Sequence, residues 1–319
     1  MYSSQRSSGV ILLSVLLIVA LLSAIAIRMT SRHSLTLAQA RHSQGAGLTL
    51  SYAIGAEILA RQLLYRDWEE DPDKIDHFGD AWAQPLAPFE LEEYENAYIE
   101  MQLRDLSSCF NLNALSGSDA QQNYQRFKTL LRNLSLPETY ADAWLDWVDP
   151  DEVVTGFGAE DSEYLLAEIP YRSANRAAAD VSELQLLPNM EAEQLALLLP
   201  HVCVLPSTSL AINANTASAE VLSSLNPALT LQSLEAVVNS DRAYKNVNEV
   251  TTEVPDLLPG VDALKVSSDY FELRAQVDID GNLTEISSVL QRTATDGTLS
   301  LIKRDLGKAF VSLYQDENE

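Results

Sequence analysis

Eighteen residues, Val10 to Ile27, carry nothing more polar than Ser14 and Ser23. As a helix they span about 27 Å at ~1.5 Å per residue, enough to cross a bilayer core. Leu35, Leu37, Ala38, Leu48, Ile54, Ile58, Leu59 and Leu63 then recur at loosely helical intervals, and the first proline is Pro72. The pattern predicts one long helix, with residues 10–27 in the membrane and 28–66 continuing beyond it. A cleavable secretory signal offers a rival reading, with Arg6 as its basic start and Ala24-Ile25-Ala26 as its cleavage site. Such signals have shorter apolar cores, about 7–15 residues, and leave a free mature terminus rather than a continuing helix.

Arg66 to Pro88 is rich in Asp, Pro and Trp and reads as a connection. Tyr98 to Arg104 alternates apolar and polar positions, as a half-buried strand does. Tyr270 to Ile279 alternates imperfectly and stops at Asp280-Gly281, a hairpin signal. Leu283 to Gln291 follows, and Asp296-Gly297 turns into Leu299 to Ile302. These segments predict a three-strand meander, with the Tyr98 strand as a fourth. Between the strand regions, Gln121–Leu134, Tyr140–Val148, Glu191–Leu199, Ala217–Leu225 and Leu231–Ser240 carry helical apolar spacing. The expected fold is therefore α+β, a helical block inserted into a sheet domain.

An internal echo marks that block. Phe110-Asn111-Leu112-Asn113-Ala114 matches Ile212-Asn213-Ala214-Asn215-Thr216, each ahead of a helical stretch. Asparagine there accepts from the first free amides. The echo is consistent with two copies of a helical subdomain and equally with chance similarity.

Charge divides the chain. No Asp or Glu precedes Glu57, while Arg6, Arg28, Arg32 and Arg41 all do. The remainder holds 17 basic against 46 acidic residues, so a mildly basic stalk carries a strongly acidic body. Such a body repels phosphate backbones, which excludes nucleic acid as a partner. Counting Arg28, Arg32 and Arg41 against Arg6, the positive-inside rule places the body in the cytoplasm. The cysteines argue the other way: Cys109 and Cys203 are the only pair, without metal-ligand spacing, and an even count in an exported protein favours a disulfide. Two unrelated buried thiols are the alternative.

Seven carboxylates fall between Asp146 and Glu163, with no Lys or Arg among them. Carboxylates held so close repel one another, and a hard divalent cation relieves that through oxygen coordination, calcium better than magnesium in irregular geometry. The spacing is not that of an EF-hand, and a solvated acidic loop is the competing reading. Catalysis has little support. The only histidines are His33, His42, His77 and His201, and GxSxG, P-loop, GxGxxG and HExxH motifs are absent. Trp68, Trp82, Trp144 and Trp147 read as core or interface anchors. The expectation is not an enzyme.

The beginning of the chain resembles a type IV pilin-like leader: MYSSQRSSG with Arg6, Gly9 at the scissile bond, then the long apolar helix. The resemblance implies that a prepilin peptidase removes the leader, residues 1–9, after Gly9 and methylates the amine of Val10. Most members carry Glu as the fifth mature residue, whereas this chain has Ser14. That departure, with SCFNLNAL at 108–115, DWVDPDEVVTGFGAED at 146–161, PYRSANR at 170–176, SELQLLP at 182–188 and INANTA at 212–217, is similar to the large minor pseudopilins of type II secretion, general secretion pathway protein K. The likeness covers essentially the whole chain.

It implies a pilin-like α+β domain (67–107 and 265–319) interrupted by an all-helical insertion (108–264) of two SAM-like subdomains. It implies a single-pass inner-membrane anchor with the body in the periplasm, calcium held by Asp149, Asp151, Glu160 and Asp161 with Asp146 and Glu152 behind them, and a Cys109–Cys203 disulfide. It implies a non-enzymatic role at the pseudopilus tip, initiating assembly and supporting export of folded proteins. Expected partners are the minor pseudopilins I and J, with H and the major pseudopilin below. Two alternatives share some of these features: a minor pilin of a surface type IV pilus, and a membrane-anchored periplasmic calcium-binding protein or hydrolase.

Overall fold

The computed structural model describes residues 8–94 and 96–311. Residues 1–7 of the expected leader therefore lie outside the described residues. Helix α1 runs from Ser8 to Glu70, about 95 Å at ~1.5 Å per residue, and the Gly9–Val10 junction falls in its first turn. Within it Leu12–Leu37 is long and apolar enough to cross a membrane, and none of that stretch is buried in the protein. The helix outlasts the expected end at 66 because nothing before Pro72 breaks it, and the residue preceding a proline is pushed out of the helical region.

The distal part of α1 changes character. Thr49, Ala53, Ala56, Glu57, Ala60 and Leu64 are buried, at helical spacing, against a sheet. Small residues on this face let helix and sheet approach closely: Ala53, Ala56 and Ala60 meet Met101, Leu273, Ala275, Val277, Ile279 and Ile286. Glu57 is the polar pin in that interface. Its carboxylate takes Arg61 at 2.6 Å, Arg304 at 2.8 and 2.9 Å, and the Ser288 hydroxyl at 2.9 Å.

That sheet is antiparallel, with β1 (Phe89–Glu90), β2 (Ala97–Asp105), β7 (Tyr270–Ile279), β8 (Asn282–Arg292) and β9 (Leu299–Asp305) in that spatial order. The three-strand meander and its fourth strand are as read from the alternation; β1 is a two-residue edge too short to leave a periodic signal. Asp280 (φ 52°) and Gly281 (φ 80°) close the β7–β8 hairpin with both central residues left-handed, as a type I′ turn requires. Odd-numbered residues of β7 from Phe271 to Ile279 are all buried, and the alternation is imperfect because Tyr270 and Glu272 are buried too, Glu272 in polar contacts with Ser287 and Lys308.

The long insertion leaves the sheet at the end of β2 and re-enters at the start of β7. Asp105 pairs with Phe271, so exit and re-entry lie side by side. Between them come β3 (Phe110–Asn111), a 3-10 turn (Leu112–Ser116), α2 (Ala120–Asn133), α3 (Thr139–Val148), α4 (Asp161–Tyr164), a 3-10 segment (Val181–Leu186), α5 (Ala192–Leu198) and β4 (Val202–Cys203). Next come β5 (Ile212–Asn213), α6 (Ala219–Ser223), α7 (Leu231–Val238), α8 (Val247–Glu253), a 3-10 segment (Pro255–Ala263) and β6 (Leu264–Lys265). The short elements α4 and α8 have no signal in the apolar spacing. The insertion is helical in the main, but each half is closed by a parallel two-residue pair, β3 with β4 and β5 with β6.

The echoed asparagines explain those closures. Asn111 accepts from the Asn113 amide at 3.2 Å, as Asn213 does from Asn215 at 3.0 Å. Asn113 donates to the carbonyls of Ala178 and Leu205 and accepts from the Ala178 amide. Asn215 repeats the arrangement: it donates to the carbonyls of Tyr244 and Val266 and accepts from the Tyr244 amide. Each copy thus ties the start of a unit to its middle and its end. One continuous apolar core, from Phe110 to Leu264, runs through both units.

Candidate metal centre

Helix α3 supplies the floor of the acidic site. Asp142, Asp146 and Asp149 stand at i, i+4 and i+7, so they share a face. The chain past α3 loops back over them. The Thr155 amide donates to both oxygens of Asp146, at 3.0 and 3.1 Å, and the Phe157 amide donates to Asp142 at 2.9 Å. Gly156 sits at φ +56°, and a Cβ there would strike the Asp142 carboxylate, so glycine serves both the turn and the close approach.

Asp142 was not among the candidates read from the sequence, and its chemistry shows why it stands apart. Burial works to raise its pKa, but donation from Lys128 (2.8 Å), Tyr124 (2.6 Å) and Phe157 outweighs it and holds the carboxyl below its usual range. Asp142 is therefore a satisfied anion that anchors the loop. Asp146 also serves as a loop anchor: burial raises its pKa, while the Thr155 amide opposes the rise.

The loop and α3 bring Asp149, Asp151 and Glu160 together, with one carboxylate oxygen of each lying within 4.8 Å of the others. Burial, with Asp151 and Asp146 nearby, pushes Asp149 up to about 6. Burial, followed by the charge of Asp146, pushes Glu160 to about 7. Asp149 Oδ1 and Glu160 Oε1 are buried and have no hydrogen-bond partner. A buried carboxylate oxygen without a donor carries a penalty of about 1–3 kcal/mol, and a bound cation removes it. The set fits calcium in donor type, in spacing and in its two orphaned oxygens.

The other candidates fall around this trio rather than in it. Asp161 is engaged by Arg172 at 2.7 Å and by the Ser173 amide and hydroxyl at 3.0 and 3.1 Å. Glu152 is exposed. The PYRSANR segment wraps the site. Ser173 donates to Glu160 at 3.3 Å, Asn175 donates to the Asp151 carbonyl at 3.4 Å, and Asn175 Oδ1 is a further buried oxygen without a partner. Asn175, held at φ 45° with its amide on the Trp147 carbonyl, was missed in the sequence because the residues between it and the acidic run hide their proximity. Trp147, Tyr164 and Tyr171 pack ring against ring beneath the site, with centroids 5.1–6.4 Å apart.

Cys109 and Cys203 form a disulfide with Cα atoms 5.8 Å apart. It lies with Leu106, Leu205 and Tyr270 in an apolar cluster where the first unit meets the sheet.

Comparison with known proteins follows the two units. Residues 108–207 and residues 212–271 each match a family described as Type II secretion system, protein K. The Type II secretion system protein K of Pseudomonas aeruginosa is 32% identical over 320 residues, covering 95% of this chain and 94% of its own length. That of Aeromonas hydrophila is 32% identical over 336 residues, covering 97% of this chain and all of its own length. That of Klebsiella pneumoniae is 39% identical over 248 residues, covering 72% and 73%. Among solved structures, a chain in the GspK-GspI-GspJ complex of enterotoxigenic Escherichia coli superposes with a TM-score of 0.74 at 27% identity, covering 85% of this chain and all of that one.

Proposed function

The chain belongs to the type II secretion protein K family, and we propose that it works as the minor pseudopilin that starts and caps the pseudopilus. The observation that carries this reading is the placement of the insertion. It springs from adjacent register positions, Asp105 and Phe271, and sets a second body on the sheet at the far end of a 63-residue helix. A head widened in this way does not fit as a repeating layer of a uniform helical shaft, but it fits at an end with no subunit above.

The start of the helix supports the same placement. In a fibre of sister helices, a buried carboxylate near the N-terminus needs the charge of the next subunit's amine as partner. Ser14 occupies the position of that carboxylate, and a terminal subunit has no neighbour ahead to complete the pair. The role is mechanical. The apolar part of α1 anchors the chain in the inner membrane, with the body in the periplasm, and later exchanges lipid for the helices of partners I and J. H and the major pseudopilin would follow below, and fibre growth would then move folded proteins through the outer-membrane channel.

Calcium at Asp149, Asp151 and Glu160, with the Asn175 carbonyl oxygen beside them, would neutralise the acidic loop and fix the outer surface of the first unit. Asp146 and Asp142 position that loop, and Asp161 ties it to PYRSANR.

Two measurements test the reading. Amino-terminal sequencing and mass analysis of the protein from membranes are expected to give a methylated Val10; retention of Met1, or a start at Ile27, refutes it. Co-expression with I and J is expected to yield a stoichiometric ternary complex; recovery of an I–J pair without this chain refutes the tip assignment.

A further inference from the structure

A second acidic cluster lies far from the first in sequence, where α1 ends. Asp67 is in the last turn of α1, Asp76 in the loop that follows, and Asp80 just before the 3-10 turn Ala81–Ala83. One carboxylate oxygen of each lies within 4.8 Å of the other two. Asp76 is fully buried. Its Oδ2 takes the Ser268 amide at 2.6 Å and an ion pair with Arg292, while its Oδ1 is buried with no partner. Asp80 accepts the His77 amide at 2.7 Å and the Trp82 indole N–H at 3.1 Å through Oδ2, and Oδ1 faces His77 Nε2 at 3.1 Å.

Asp67, Asp76 and Asp80 thus stand together where Arg292 is already paired with Asp76 and His77 faces Asp80. Lys74 is engaged by the Trp68 carbonyl and ring, and Asp71 adds a further negative charge nearby. Burial, and then Asp80 and Asp76, push Asp67 up to about 7, while burial carries Asp76 to about 6 against the pull of Arg292. The local charge deficit and the orphaned Asp76 oxygen ask for a positive ligand.

We propose that Asp67, Asp76 and Asp80 form a second binding site for a hard divalent cation of the calcium class, clamping the end of α1 to the sheet and to the second helical unit. The clamp follows from what the three residues touch. Asp67 belongs to α1. Asp76 reaches β8 through Arg292, pairs its amide with the Val266 carbonyl, and offers its own carbonyl to Asn213 at the start of the second unit. An ion there would hold stalk, sheet and insertion at one point, through oxygen ligands compatible with calcium's irregular coordination. The inference is independent of the tip assignment and of the first site.

The test uses the full chain in mild detergent, stripped with chelator and titrated with Ca²⁺ and with Tb³⁺. Trp82, bonded to Asp80, would sensitise terbium luminescence. In the variant Asp149→Asn/Glu160→Gln, which disables the first site, one equivalent of ion is expected to remain. Adding Asp67→Asn is expected to weaken that remaining binding at least about tenfold, whereas adding Asp67→Glu, which keeps the charge, retains it. Far-UV circular dichroism checks that both variants fold. No ion bound in the first-site variant, equal binding with Asp67→Asn, or equal loss with Asp67→Asn and Asp67→Glu would each overturn the proposal, the first leaving a proton shared among the three carboxyls as the explanation.

Discussion

The two halves of the insertion share a plan and differ in how they are fastened. In both, an Asn-x-Asn opening caps its own turn and reaches across to the residues that close the unit, and a parallel two-residue pair completes the closure. The first half, 108–207, adds a disulfide, the Asp142–Tyr124–Lys128 network and the acidic loop. The second half, 212–265, adds none of these. It is seated instead on the buried Asp105, whose carboxylate receives Asn213, Thr216, Ser268 and the Ser107 amide. The lesson is one of length. The first unit carries a long irregular stretch, 149–180, interrupted only by one turn of helix, and such a stretch cannot bury enough apolar surface to order itself. Beyond the apolar core that both units share, it is held by charge and covalent closure, whereas the compact second unit is held mainly by buried hydrogen bonds.

The strongest way to break this comparison is to open the disulfide. Closing a loop of 94 residues contributes about 4–5 kcal/mol in the chain-entropy account. Replacing Cys109 and Cys203 by Ala is expected to lower stability by about that much in urea unfolding and to strip hydrogen-exchange protection from 108–207 first. Equal loss across 212–265 would show that the shared core makes the halves one cooperative block.

Removing calcium comes next. A ligand present at ~100 times its dissociation constant stabilises by about 2.7 kcal/mol, so chelation is expected to lower the melting temperature by several degrees. Asp149→Asn/Glu160→Gln should mimic the effect, and Asp161→Asn should do so more weakly, because Asp161 is held by Arg172 and Ser173. An unchanged melt with chelator, and no metal in the protein, removes the first site.

A smaller effect tests the shared plan. Asn113→Ala deletes three buried hydrogen bonds and Asn215→Ala two buried and one part-buried, and each is expected to cost about 2–3 kcal/mol, inside the range for unsatisfied buried partners when relaxation is allowed. Similar values from denaturant unfolding sharpen the equivalence; a difference above about 1 kcal/mol breaks it.

The last handle is pH, read by its sign. Asp149 and Glu160 titrate near 6 and 7 in the folded chain against about 3.9 and 4.3 when unfolded. Between about pH 4 and 7 the folded state therefore binds more protons, so the metal-free protein loses stability as pH rises through that window. With calcium bound the carboxylates are ionised in the folded state and protons compete with the ion, so the slope reverses. Melting curves at pH 5 and 7.5, with and without chelator, read the sign directly.

Periodicity was enough for the elements with long, regular faces. The apolar run and its continuation give α1, the alternation around Tyr98 and Tyr270 and the two Asp-Gly turns give the sheet, and five helical stretches coincide with α2, α3, α5, α6 and α7. Elements of four to seven residues with mixed faces, α4 and α8, left no such trace. The acidic run was legible as a concentration of like charge. Its division of labour was not: Asp142 and Asp146 hold the loop, Asp149, Asp151 and Glu160 converge, and Asp161 pairs with Arg172.

By itself the sequence determined what local pattern governs: a membrane-length helix, a strand meander, an acidic body, and the paired Asn-x-Asn openings. Only the tertiary structure decided how the acidic residues divide between loop anchors and the converging trio, that Asn175 stands beside them, and that Asp67 lies beside Asp76 and Asp80. Periodicity constrains neighbours within a turn or a strand, whereas these encounters depend on long loops folding back, and a carboxylate's charge state is set by whatever is buried beside it.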